Sequence, residues 1–165
     1  MRQFLIVMAL VLAPGLLCAQ NWTRKDVINP MTDARSAVFI LKGEIDNNGI
    51  GTINLGIVCT EGKFYWAGFS IAGMTFASSH ILTTPVTMRI GNRLYNEDLI
   101  LSEDRTDARI VKMSEIRDID KAGGITMEFK DAFLTGHYAK FINASFTSEL
   151  LSNCDGLVKK EKNKK

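Results

Sequence analysis

Short runs of alternating apolar and polar residues, each stopped by a turn containing glycine or asparagine, constrain this chain most. The cleanest is Pro85-Val86-Thr87-Met88-Arg89-Ile90. Val86, Met88 and Ile90 share one face and Thr87 and Arg89 the other, which is the period of a half-buried strand, and Gly91-Asn92 ends it. Enrichment in β-branched and aromatic residues predicts further strands over 36–42, 52–59, 63–69, 94–101, 108–112, 125–129 and 137–142. Asn48-Gly49 and Glu61-Gly62 supply tight turns between the first three. The aromatics of 63–69 are expected to pack on the core, and 70–82 reads as loop or irregular edge.

Two short helices complete the pattern. Met113, Ile116 and Ile119 recur at intervals of three before Gly123-Gly124, which predicts an amphipathic helix with a glycine stop. Ser145, followed by Ser148-Glu149, predicts the capped start of a C-terminal helix that runs toward Cys154. The expected fold is mainly β: a small antiparallel β-sandwich with one or two short helices, including the C-terminal one.

The N-terminus has the layout of an export signal. One charge, Arg2, precedes the apolar run from Phe4 to Leu12, Pro14-Gly15 breaks it, and Ala19 offers a small residue for cleavage before Gln20. The run is about half the length of a membrane span. Lipid anchoring at Cys18 is the less favoured alternative, because bulky Leu17 precedes it. The expected organisation is a signal peptide over 1–19, one exported domain over 20–158 and a basic tail over 159–165, with a periplasmic or secreted product. The tail holds five lysines against one glutamate, so a formal net charge of +2 conceals an acidic body. Weak contact with an anionic surface falls to this tail. Nucleic acid is not an expected partner, and no transmembrane span is expected after cleavage.

Loss of Cys18 with the leader leaves Cys59 and Cys154. In an oxidising compartment two remaining cysteines in a small domain favour one structural disulfide over a redox pair, which would need closer spacing. Candidate chemistry is sparse. Gly68-Phe69-Ser70-Ile71-Ala72 approaches a nucleophile elbow, but that device belongs to a parallel sheet with crossover helices. Glu44, Asp46 and Asn48-Gly49 copy half of a calcium loop whose twelfth position, Leu55, is apolar. His80 and His137 stand far apart without a ligand cluster. No catalytic, metal or cofactor-binding residue is therefore assigned, and no cofactor.

Several features occur in order: Trp22; Asn29-Pro30-Met31-Thr32-Asp33; a strand ending in Cys59; 86–92; and 139–146 leading to Leu150-Leu151 and Cys154. This layout resembles the VasI-like proteins associated with type VI secretion and, more distantly, the invasion-associated locus B proteins, both exported bacterial β-sandwich domains. The resemblance implies that Trp22 and Asp33 shape the N-terminal segment, that Arg89 lies on a central strand, and that Cys59 bonds Cys154. The chain departs from the pattern at Gly91-Asn92, where an acidic residue is usual, and at Asn143-Ala144, where a glycine turn is usual. The function expected from all of this is a non-enzymatic exported accessory protein that binds another envelope or secreted protein. The alternative is an inhibitor or immunity-type protein acting on a cell-wall hydrolase or toxin, for which an acidic body suits a basic target.

Overall fold

The computed structural model describes residues 21–46, 51–79 and 82–157. The leader, the basic tail, the Asn48-Gly49 turn and His80 lie outside these residues.

Among the described residues nine strands form one antiparallel sheet: β1 (Thr23–Ile28), β2 (Arg35–Asp46), β3 (Thr52–Thr60), β4 (Lys63–Ala72), β5 (Thr83–Ile90), β6 (Arg93–Leu101), β7 (Asp107–Ile110), β8 (Gly124–Lys130) and β9 (Gly136–Ile142). Helix α1 (Met113–Ala122) joins β7 to β8, and α2 (Ser148–Asn153) follows β9. The strand order is β1-β2-β3-β4-β7-β6-β5-β8-β9, with a further pairing of β9 to β2. That pairing corrects the expected sandwich. Glu44 faces Lys140, Ile45 faces Ala139 and Asp46 faces Tyr138, so eight strands close into a barrel and β1 flanks it. β2 makes closure possible because its twelve residues outrun β1, which covers only 35–40 and leaves the far half of that edge to β9.

Alternation places one row of every barrel strand inside. Val86, Met88 and Ile90 are buried as their pattern predicts, while Arg89 is exposed on the outer face. Phe39, Phe69, Phe129 and Phe141 are among the largest buried side chains, as expected where an eight-stranded barrel is filled by side chains. Both ends are covered. At one end α1 turns Ile116 and Ile119 inward, and Gly123 ends it in the left-handed region (φ 67°), donating its N–H to Ile119 O. Asp120 ties the segment after β9 to that helix, accepting the Phe146 N–H at 2.7 Å through Oδ1. At the other end Thr75–Ala77, part of the stretch read as loop, spans the opening. The Phe76 N–H donates to Arg105 O, the Ala77 N–H to Lys130 O, and the Phe76 ring meets Phe129 edge-on at 5.2 Å.

The disulfide between Cys59 and Cys154 is formed, with Cα atoms 5.3 Å apart. It fastens the C-terminal segment to the end of β3, where Phe64 N–H also donates to Asp155 O. α2 begins later than the sequence suggests: Thr147 is the N-cap and accepts the Leu150 N–H, whereas Ser145 donates its hydroxyl to Asp120 O. Among the described residues no helix is long and apolar enough to cross a membrane.

Candidate binding surface on the barrel wall

A bulge at the start of β4 decides which aromatic side chains reach solvent. Val58 pairs with Trp66, but the next residue, Cys59, pairs with Phe64, so Tyr65 is an extra residue on β4. Phe64 thereby turns toward the core with Cys59, while Trp66 joins Val58 on the outer face. The expectation that all the aromatics of 63–69 pack inward is corrected at two positions: Tyr65 is 66 % exposed and Trp66 stands on the barrel wall, half-buried.

Cross-strand register assembles a patch around Trp66. Val38, Val58 and Trp66 form one line across β2, β3 and β4. The neighbouring line runs Ile40, Gly56, Gly68, Arg109 and Ile100, from β2 through β4 and β7 to β6. Gly68 has no side chain because β7 passes too close: a Cβ there would lie 2.4 Å from Ala108 O. On the neighbouring strand the Arg109 guanidinium lies over Trp66, 5.6 Å from the ring centroid. Beside this pair opens a shallow cleft of about 320 Å³ edged by Ile100, Ser102 and Asp107. Tryptophan and arginine within apolar surroundings are the side chains that most often dominate a protein–protein contact. A cation held over an indole suits a partner that brings one apolar group and one carboxylate.

Three polar clusters lie elsewhere. Beneath α1, Lys112 Nζ contacts both Glu97 oxygens at 2.5 and 2.6 Å, and Glu115 is buried beside them. Burial, and then the neighbouring Glu97 charge, push the Glu115 carboxyl up to about 7. Next along α1, Asp118 accepts the Tyr95 hydroxyl at 2.5 Å and Arg93 at 2.8 Å, and the tyrosine bond in particular holds its carboxyl below the ordinary value. At the β8–β9 turn, His137 Nε2 lies 3.0 Å from Asp131 Oδ2. Among the described residues no group of three or more histidine, cysteine, aspartate or glutamate side chains could hold a metal ion.

The residues singled out in the sequence are not brought into one site. Trp22 donates its indole N–H to Ser145 O at 3.1 Å and meets Phe146 edge-on at 6.1 Å, tying the start of β1 to the segment after β9. Asp33 occupies the β1–β2 turn with φ 55° and donates its N–H to Asn29 O. Both thus sit at the N-terminal segment. Arg89 is on β5, flanked by β6 and β8, beside a small outer hollow with Gly91, Thr126 and Lys140. Ser70 lies within β4 opposite Asn54 and Asp107, not at a strand-to-helix elbow. The sequence reading missed Trp66 and Arg109; Gly56 and Gly68, glycines inside strand-like runs, were the available signal of close backbone approach.

No family model, no curated protein and no solved structure matches this chain.

Proposed function

We propose that this protein is a non-enzymatic exported accessory protein that binds another envelope or secreted protein through the wall of its barrel. The observation that carries the reading is the Trp66–Arg109 pair, set in a register-aligned apolar surround on a closed barrel. The disulfide fits an oxidising compartment, and the leader-like N-terminus supplies the route there. The likeness to VasI-like proteins supports an accessory role in a secretion apparatus.

The test is co-purification from envelope extract with the native protein, Trp66→Ala and Arg109→Ala, each checked for a native melting curve. A partner retained by the native chain and weakened roughly 30-fold or more by Trp66→Ala is expected, the usual scale for losing a dominant contact residue. Capture that both substitutions leave unchanged, or repeated failure to retain any partner, overturns the reading.

A further inference from the structure

The β8–β9 connection exposes two large apolar side chains in sequence. Phe133 is 89 % and Leu134 is 70 % exposed, at the end of the barrel that Phe76 closes. Turn residues are ordinarily small or polar, and Leu134 also takes φ 64°, a conformation that a glycine or asparagine would hold with less strain.

The turn beneath them is braced from inside. Asp131 Oδ1 accepts the N–H groups of Phe133 and Thr135, each at 2.9 Å, while Oδ2 faces His137 Nε2 at 3.0 Å. His137 in turn stacks on Phe129 with ring centroids 5.4 Å apart, and Phe129 packs on Phe76. The Ala132 N–H donates to Thr75 O, joining the turn to the segment that spans the barrel end. A buried carboxylate and a buried imidazole thus fix a projecting turn whose most prominent side chains touch solvent. An exposed apolar pair on a held backbone loses little freedom when it is buried, which is the condition for an anchor.

From these observations we propose that Phe133 and Leu134 form a preorganised apolar finger that inserts into a concave, apolar cleft of a partner protein. Two side chains are far too small to make the ~1,600 Å² of a standard two-protein contact by themselves, so tip-to-tip pairing of two copies is disfavoured and a pocket that surrounds the finger is required. A bilayer is the poorer match: at the same barrel end the exposed Glu103 and Asp104 offset the exposed Arg105 and Lys130, whereas surface binding to anionic lipid calls for a basic cluster. The proposal rests on the reading of the protein as a binding module, but the finger is separate from the Trp66 wall.

A photoreactive phenylalanine analogue at position 133, in the full-length chain made in its own cells, tests this. The expected result is a covalent adduct with one protein, mapped by mass spectrometry to apolar residues lining a cleft. It should fall at least tenfold on adding Leu134→Ser and stay unchanged on adding Leu94→Ser, a control at an exposed leucine of β6. Adducts with lipid alone, with a second copy of this chain, or with nothing overturn the finger. So does flotation with phosphatidylglycerol vesicles that Phe133→Ser abolishes. The same preparation with the probe at Ile100 reports the wall: an adduct there but not at 133 refutes the finger and leaves the binding-module reading intact, and loss at both positions removes both.

Discussion

The carboxyl groups of Glu97 and Glu115 adjoin beneath the first turn of α1, and the cation between them is committed to one: Lys112 Nζ is 2.5 Å from Glu97 Oε1 and 3.8 Å from Glu115 Oε1. Only 1 % of Glu115 is exposed, so its proton is held against water as well as against a neighbouring charge. Lys112 and Asp118 from the helix side, and Glu97 from β6, are the charged groups that act on it.

This arrangement makes stability depend on pH with a definite sign. The Glu115 pKa is raised from 4.5 to about 7 on folding. The folded chain therefore binds the proton more tightly than the unfolded chain. The contribution is fully present below 4.5, declines as pH rises toward 7, and is gone above it. Glu115→Gln, which keeps a neutral group there, should match the native protein at pH 4 and exceed it at pH 8 by on the order of 2 kcal/mol. Thermal unfolding of both proteins from pH 4 to 8 checks this. A constant difference across that range would show that Glu115 does not hold its proton.

Much of the β content was legible because burial enforces a period of two. Val86, Met88 and Ile90 could be assigned inward from sequence, and Gly91 and Gly62 do take the left-handed turns their positions suggested (φ 57° and 75°). β1 was not legible: all six of its residues are exposed, so nothing imposes an apolar face on Thr23–Ile28. Barrel and sandwich look alike along each strand, since both bury one face. What separates them is the pairing of Glu44 with Lys140, which alternation does not encode. The wall was hidden because alternation cannot place both Phe64 and Phe69 inward: the bulged Tyr65 turns Phe64 to the core, while Trp66 keeps step with inward Ala67 and Phe69 and so faces out. Glu115 was hidden because a carboxylate between Met113 and Ile116 reads as solvent-facing, and its burial follows from where α1 crosses the barrel end.

The Cys59–Cys154 disulfide closes a separation of 95 residues and fixes the chain after α2 to β3. Constraining so long a loop lowers the entropy of the unfolded chain. Cys154→Ala should cost about 2–5 kcal/mol, and reducing agent should lower the native melting temperature while leaving the variant's unchanged. Backbone amide exchange should show the first loss of protection over residues 148–157. Equal melting of native protein with and without reductant would refute this dependence.

Phe76 and Phe133 share a residue type and a barrel end but differ in burial, at 0 % and 89 % exposed. Phe76→Ala empties space against Phe129 and should cost about 3–5 kcal/mol. Phe133→Ala removes nothing from the core and should change stability by less than about 0.5 kcal/mol. Chemical denaturation of the two variants makes the comparison directly.

Gly68 offers a test of how tightly β4 and β7 are crossed. Its missing side chain is not needed for an unusual backbone angle; what excludes a Cβ is Ala108 O at 2.4 Å, a backbone atom with no rotamer by which to withdraw. Gly68→Ala must therefore push β7 away from β4. The cost should be about 1–3 kcal/mol, the scale of an overpacked interior. It should also displace Arg109, which pairs with Gly68 and covers Trp66, so indole fluorescence should change along with the unfolding midpoint. Gly136→Ala is the matched control: a Cβ there meets nothing within 4 Å, so the change should be neutral or stabilise by less than about 1 kcal/mol through the unfolded chain. Urea titrations with a common m-value would separate the two. Equal midpoints would mean that β7 gives way freely at Gly68, and the wall that seats Arg109 over Trp66 would then lack the rigidity its geometry implies.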